Sequence, residues 1–400
     1  MRAGSILISG ASIAGPSLAY WLNAAGWRTT VVERAGRLRA EGQNIDVRGA
    51  AREVLRRMGI EDEVLAANTG ERGTRFVDEK GRVRAAFPAS GNETGGATAE
   101  VEILRGELSR IVAGLTEGQT EYVFGDSITA LREDGDGVLV TFAEGPERRF
   151  DVVALAEGMR SRTRGMIFGD EPQIRFLGMY TSYFTIPREA GDVDWWQWFG
   201  AVGGRNVGLR PDNTGTIRAT LSFLSGPRGY EDLGVDEQKQ VLRRVFRDAG
   251  WQAPRVLAAM EDVPIYFESI GQVRAPSWHR GRVALLGDAA YCASPISGMG
   301  TSLALVGAYI LGGELTRADS PEEAFASYER IMRPYVDQAQ KLPPGAPRLA
   351  NPKSRLGLKV FHAAAALAST RVAGSVAAKL FTPPADRIAL PDYGSHFPRS

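Results

Sequence analysis

The first apolar run, Ser5-Ile6-Leu7-Ile8-Ser9, is strand-sized and is broken by Gly10-Ala11-Ser12-Ile13-Ala14-Gly15. Pro16 to Ala25 has helical composition and stops at Gly26, a residue suited to close a helix. Thr29-Thr30-Val31-Val32-Glu33 is rich in β-branched residues and predicts the next strand. A helix is predicted over Ala50 to Met58, ended by Gly59, and another over Ile103 to Ala113 with Arg105 near its start. Thr120 to Phe142 alternates like strands, and Phe150 to Leu155 is an apolar run ahead of Glu157-Gly158. Aromatic and β-branched strands with Gly, Asn and Asp turns follow at Met179 to Ile186, Trp195 to Leu209 and Thr216 to Leu224. Asp236 to Ala249 reads as a helix and Val263 to Ile270 as a strand. The strand Val283-Ala284-Leu285-Leu286 returns to the first pattern, and Leu303 to Leu315 is an apolar helix. After a Pro-rich stretch from Pro343, Ser354 to Leu380 reads as helical.

These patterns predict an α/β chain with a Rossmann-like nucleotide domain assembled from residues 1–73, 100–174 and 276–342. A mostly antiparallel β-sheet domain, 74–99 and 175–275, is expected to be inserted into it. Residues 343–400 form a C-terminal helix and tail. Four hundred residues exceed one ordinary core, which suits two intertwined domains.

Composition narrows the function. A net charge of +1 argues against a nucleic-acid partner. Cys292 is the sole cysteine, so neither a disulfide framework nor a multi-cysteine metal site is available, and a reducing cytoplasm is the expected compartment. Only His279, His362 and His396 are present, without metal spacing, and no metal site is expected. No apolar run approaches about eighteen residues, so no membrane span is expected. Phe361 to Ala368 is apolar but flanked by Lys359, Arg371 and Lys379; it reads as a docked helix, with membrane contact as the lesser alternative.

Two segments carry the chemistry. The turn from Gly10 to Gly15, between strand and helix, is a Gly-x-x-x-x-Gly variant of the dinucleotide fingerprint with Ser12 at the middle glycine. Ser12 adds bulk where a pyrophosphate approaches the backbone, and also adds a hydroxyl donor. Glu33 lies at the distance from this turn expected of a ribose ligand. The second segment is Gly287-Asp288-Ala289-Ala290, followed by Pro295 and Gly298-Met299-Gly300. A carboxylate at a strand end can accept from a ribose hydroxyl, and a helix start offers N–H groups to an anion or electron-rich ring.

The constellation resembles the FAD-dependent monooxygenases of the aromatic-hydroxylase class, group A. Four blocks match in order: Gly10 to Gly15; Gly42-Gln43-Asn44-Ile45-Asp46-Val47-Arg48 with Arg105; Glu157-Gly158-Met159-Arg160-Ser161-Arg162-Thr163-Arg164; and the Gly287-Asp288 segment through Gly300. Residues 1–340 are covered, and the spacing of Arg39, Asp46 and Arg105 looks most like the tetracycline-inactivating flavin monooxygenases and their polyketide-tailoring relatives. The resemblance implies bound FAD held by Gly10, Ser12, Ile13, Ala14, Gly15, Glu33, Arg34, Asp46, Arg48, Arg105, Gly287, Asp288, Pro295, Gly298, Met299, Gly300 and Thr301. It implies NADPH or NADH as a transient co-substrate near Arg39, Glu157, Arg160 and Arg164. It also implies a C-terminal helix bridging the two domains. The sequence departs from the pattern at Glu157 (for aspartate), Tyr291 (for histidine), Ser302 (for asparagine) and Gly307 (for aspartate).

Trp195, Trp196 and Trp198 cluster on a strand, where core packing and a pocket wall are both open readings. Tyr183, Trp196, Trp198 and Arg218 are the candidates for the substrate pocket. The expected reaction is NAD(P)H- and O₂-dependent oxygenation of an aromatic or polycyclic small molecule through a C4a-hydroperoxyflavin, by a monomer. The flavin carries that chemistry, and no catalytic side chain is named. The alternatives are a flavin dehydrogenase or reductase without oxygen insertion, and a flavin-bearing protein that sequesters a drug-like ligand.

Overall fold

The computed structural model describes residues 3–39, 42–89, 101–370, 385–394 and 397. Two sheets dominate. The first has the strand order His279–Arg280, Val283–Leu285, Val152–Leu155, Ser5–Ser9, Arg28–Glu33, Thr120–Phe124. All its neighbours run parallel except the first pair, which is antiparallel. Its central strands are buried on both faces, as near-continuous apolar runs require. Helix Ala14–Ala24 and the long helix Gly300–Arg317 pack together against it. Helix Gly300–Arg317 contains three glycines that face aromatic rings: Gly307 meets Tyr291, Gly312 meets Trp21, and Gly313 meets Tyr393.

The second sheet has the order Tyr266–Arg274, Gln173–Pro187, Thr216–Leu224, Arg205–Pro211, Trp196–Ala201, Gly73–Val77, Val83–Pro88. It is antiparallel apart from the contact of Trp196–Ala201 with Gly73–Val77. Its period-2 alternation separates two faces. Phe184, Ile186, Ala219, Leu221, Val207, Leu209 and Phe199 form a core with helices Val235–Phe246 and Ala253–Met260. Tyr183, Arg218, Thr220, Gly208, Trp196 and Trp198 alternate with them and take the opposite face.

Several sequence expectations shift. Ile103 and Leu104, expected to start a helix that runs to Ala113, instead end the strand Val101–Leu104, paired with Asn44–Val47; the helix begins at Arg105. Both readings suit a short apolar run, and the partner strand decides between them. Of Thr120 to Phe142, only Thr120–Phe124 joins the parallel sheet, while Ile128–Glu133 and Val138–Phe142 form a separate small sheet with Arg148–Phe150. Phe150 to Leu155 is divided at Asp151, whose carboxylate accepts from the Ser5 amide at 2.6 Å. The strand expected over Met179 to Ile186 runs from Gln173 to Pro187.

The expected C-terminal helix is described over Arg355–Ala368, and its continuation through 371–380 lies outside the described residues. Leu358 lies over Gly200 and the Phe361 ring meets Phe76 at 5.2 Å, so this helix packs on the second sheet. Farther on, the Ala385 carbonyl accepts from the Ala50 amide and the Tyr393 hydroxyl donates to the Glu314 carboxylate at 2.5 Å, both on the first domain.

Candidate active site

The turn after the first strand needs its glycines. Gly10 has φ +112°, and a Cβ there would strike the Ala156 carbonyl; a Cβ on Gly15 would strike the Gly10 carbonyl. Ser12, between them, is exposed, whereas Ile13 and Ala14 are buried. Glu33 accepts from the Ala11 amide at 3.0 Å and from the Ala35 amide at 2.9 Å. Its carboxylate therefore ties the turn to the end of the second strand and retains lone pairs for a ribose hydroxyl. Arg39 lies 3.8 Å from Glu33, and Arg34 is exposed beside it.

The opposite wall starts where strand Val283–Leu285 ends. Gly287 has φ +62° and its missing side chain lets Ala14 approach. Asp288 opens helix Asp288–Tyr291 with its side chain exposed, yet burial by the surrounding protein pushes its carboxyl above the ordinary carboxylate range. Exposure and burial coexist because the group stands deep inside a cleft. A hydrogen bond with Cys292 and the charge of Arg105 oppose that rise. Ser294 has φ +78°, rare for a residue with a side chain, directly before Pro295. Gly298 takes the left-handed conformation and helix Gly300–Arg317 begins with no side-chain cap. Its first-turn amides are thus available to a ligand. Met299 is buried and Thr301 nearly so.

Arg105 starts its own helix, packed against Gly42, and faces Asp288. Asp46 pairs with buried Arg48 at 2.8 Å, and its other oxygen is buried with no hydrogen bond, the Arg210 guanidinium lying 3.9 Å away. The Arg48 amide donates to Ser302 at 3.2 Å, which links this strand to the helix start. The turn, the Gly-Asp segment and Arg105 thus converge on one cleft at the carboxyl ends of the parallel strands, where nucleotide ligands bind in such sheets.

The Glu157 segment has a different employment. Glu157 accepts from Ser9, Ser161 and Thr163 hydroxyls, each at 2.6 Å, and from the Thr163 amide at 3.2 Å. Buried Arg164 donates to the carbonyls of Ala289 at 2.9 Å and Met159 at 2.8 Å. Arg164 thus braces the Gly-Asp segment, while Glu157 ties its own turn to the end of the first strand. Arg160 is half-exposed and pairs with Asp232 at 2.9 Å.

The aromatic face of the second sheet carries the pocket candidates. Trp196 and Trp198 lie 5.3 Å apart, and the indole N–H of each is buried without an acceptor. Trp195 points to the other side, under the Arg75 guanidinium. Arg218 is committed to Asp212 at 2.9 Å and Thr185 at 2.5 Å. Tyr183 stacks on Tyr266 at 6.2 Å.

Two groups here escaped the sequence reading. Glu268 accepts from the Tyr266 hydroxyl at 3.2 Å and faces Tyr183, Asp288 and Arg105; burial pushes its carboxyl up to about 7. The only sequence signal was an acidic residue in phase with Tyr266 on one strand face. Arg210 sits over the Trp196 ring at 4.5 Å and joins Glu71 at 2.6 Å, Glu102, and Asp46 at 3.9 Å. Burial pushes the Glu71 carboxyl up to about 8, opposed by Arg210 and assisted by Glu102 and Asp46. Cys292 is buried, and burial with Asp288 nearby keeps it a thiol.

Comparison with known proteins agrees with this geometry. Residues 4–342 match the FAD binding domain family. The chain belongs to the FAD-dependent monooxygenase family. It is 36% identical to the flavin-dependent monooxygenase eupH of Phoma sp, over 98% of each chain. A flavin-dependent monooxygenase of Legionella longbeachae is 39% identical over 84% of this chain and 87% of its own. The crystal structure of tetracycline destructase Tet(51) superposes with a TM-score of 0.82 at 32% identity, covering 98% of this chain and 100% of that one. Membership carries FAD binding and a small-molecule substrate oxygenated with O₂, and it favours this reading over a reductase or a sequestering protein. No helix among the described residues is long and apolar enough to cross a membrane. No cluster of metal-ligating side chains occurs among them either.

Proposed function

We propose that this family member uses NADPH or NADH to oxygenate a flat aromatic or polycyclic small molecule of polyketide or antibiotic type. The observation that carries this reading is the apposition of the nucleotide cleft and an aromatic sheet face bearing two unpartnered indole N–H groups. A planar ligand with oxygen acceptors would satisfy both.

The residues fit FAD. The Gly10–Gly15 turn would take the pyrophosphate, with the exposed Ser12 hydroxyl as a donor beside its backbone amides. Glu33 would take the adenosine ribose, with Arg34 alongside. Arg105 would take the pyrophosphate, for which a guanidinium is shaped. Asp288 and Gly287 would meet the ribityl portion. Pro295, Gly298, Met299, Gly300 and Thr301 would approach the ring, with Asp46 and Arg48 on its other flank. Bound FAD supplies electron transfer from the nicotinamide and activation of O₂.

The protein's own contribution is positioning and exclusion of water. Trp196 and Trp198 wall the substrate, with Tyr183 behind them, and Arg218 braces the strand end through Asp212. Glu268 sits within the cleft at a pKa near neutrality, suited to hold or release a proton at its carboxyl oxygen. For the nicotinamide cofactor we keep Arg39 and Arg160, whose guanidinium groups reach solvent. Glu157 and Arg164 are omitted because internal hydrogen bonds consume them. The division into a discontinuous FAD domain, an inserted sheet domain and a C-terminal bridge belongs to the same proposal, as do a monomeric state and a cytoplasmic location. The test is incubation with ¹⁸O₂, NADPH and a panel of polycyclic phenols. Label in the product supports the reading, and unlabelled oxidised product overturns it.

A further inference from the structure

The helix Arg355–Ala368 has two unlike faces. Inward, Leu358 and Phe361 pack on the sheet and Ala365 is buried. Outward, Leu356 is 72% exposed, Val360 60% and Leu367 68%, with Ala363 and Ala364 exposed between them. At helical spacing these positions form one apolar stripe, roughly 16 Å long at 1.5 Å per residue. Leu349, 65% exposed, lies just before the helix.

Charge is the second observation. The chain as a whole is nearly neutral, at +1. Between Lys341 and Thr370 it carries five basic residues and no acidic one. Arg348, Lys353, Arg355 and Lys359 are all exposed, and Lys359 lies on the shoulder of the apolar stripe. Among the described residues none of these four forms an ion pair with a carboxylate.

We propose that this face seats on an anionic lipid surface. Leu356, Val360 and Leu367 would enter the headgroup layer, and Lys353, Arg355 and Lys359 would meet lipid phosphates. An apolar stripe on one face of a helix, with basic residues on its shoulders, is the pattern of a helix lying in the membrane interface. A second copy of the chain fits less well, because joining two such faces would bring two sets of basic residues together with no acidic residue of this segment to offset them. A protein partner fits less well because the stripe is a narrow convex ridge with no exposed aromatic anchor.

The test is co-sedimentation of the full-length, FAD-loaded protein with vesicles of phosphatidylcholine containing phosphatidylglycerol, and with phosphatidylcholine alone. Preferential binding to the anionic vesicles, falling as salt rises, is expected. The triple variant Leu356→Ser, Val360→Ser, Leu367→Ser should lose at least about tenfold in partitioning. The triple variant Lys353→Glu, Arg355→Glu, Lys359→Glu should lose roughly fivefold or more per position. Retained FAD colour and circular dichroism establish that these surface variants fold. Absence of anionic-vesicle binding at low salt overturns the proposal, as does binding that the apolar variant leaves unchanged. A wild-type dimer that this variant dissociates, with no vesicle binding, would assign the face to a second copy instead.

Discussion

The hydroxyl of Tyr291 occupies the space that a side chain on Gly307 would need. It also accepts from Tyr328 at 2.9 Å. These are two of the positions at which the chain departs from the pattern it resembles, and the structure joins them into one change: the larger ring is admitted by the smaller helix residue. Gly307→Ala should therefore destabilise the protein. Helix propensity gains about 1 kcal/mol, but overpacking a filled core costs about 1–3 kcal/mol. The same substitution in a Tyr291→Phe background should cost less, since the obstructing atom is gone. Thermal midpoints of the four proteins in the cycle measure the coupling, and strict additivity would contradict the contact.

Asp288 stands inside the nucleotide cleft facing Arg105, and Asp288→Ala should lose most of the bound FAD. Losing a hydrogen bond to a charged group costs about 1.5–3 kcal/mol, or roughly ten- to a hundred-fold in affinity. Flavin fluorescence on titration checks this. Wild-type affinity in the variant would remove Asp288 from the site.

Glu71 predicts a pH signature. Burial raises its folded-state pKa from the ordinary 4.5 to about 8, so between these values the folded chain holds a proton that the unfolded chain has released. Its contribution is flat below about pH 4.5, falls as pH rises toward 8, and is flat again above. Glu71→Gln mimics the protonated form. It should match the wild type near pH 5 and exceed it in melting temperature above pH 8. A variant that is less stable at high pH would mean that the ionised carboxylate is needed by Arg210.

Trp198→Ala should uncouple the reaction. NADPH would still be oxidised, with more hydrogen peroxide and less oxygenated product, because the cleft would admit water and hold its substrate loosely. Peroxide yield beside product yield measures the coupling. Unchanged coupling would return Trp198 to packing alone, next to Phe76 at 6.2 Å.

The βαβ start was legible because each element carries a local cause. Gly10 and Gly15 stand where only glycine fits, Gly26 and Gly59 take left-handed conformations after their helices, and the strand residues are apolar in runs. The inserted sheet was legible from its period-2 alternation of aromatic and β-branched residues. Short-range pattern left open which partner each segment would choose. Val101–Leu104 became a strand because Asn44–Val47 lay beside it, and Ile128–Glu133 left the main sheet for Val138–Phe142. The roles of charged side chains were decided later still. Nothing near Glu157 in the chain indicated that Ser9 would share its carboxylate, and nothing near Arg210 indicated Glu71 and Glu102. Glu268 and Asp288 are twenty residues apart in sequence and acquire shifted protonation only because two strands and a helix start enclose them in one cleft. Backbone conformation follows from neighbours a few residues away, whereas desolvation and ion pairing depend on what the whole fold brings within a few ångströms.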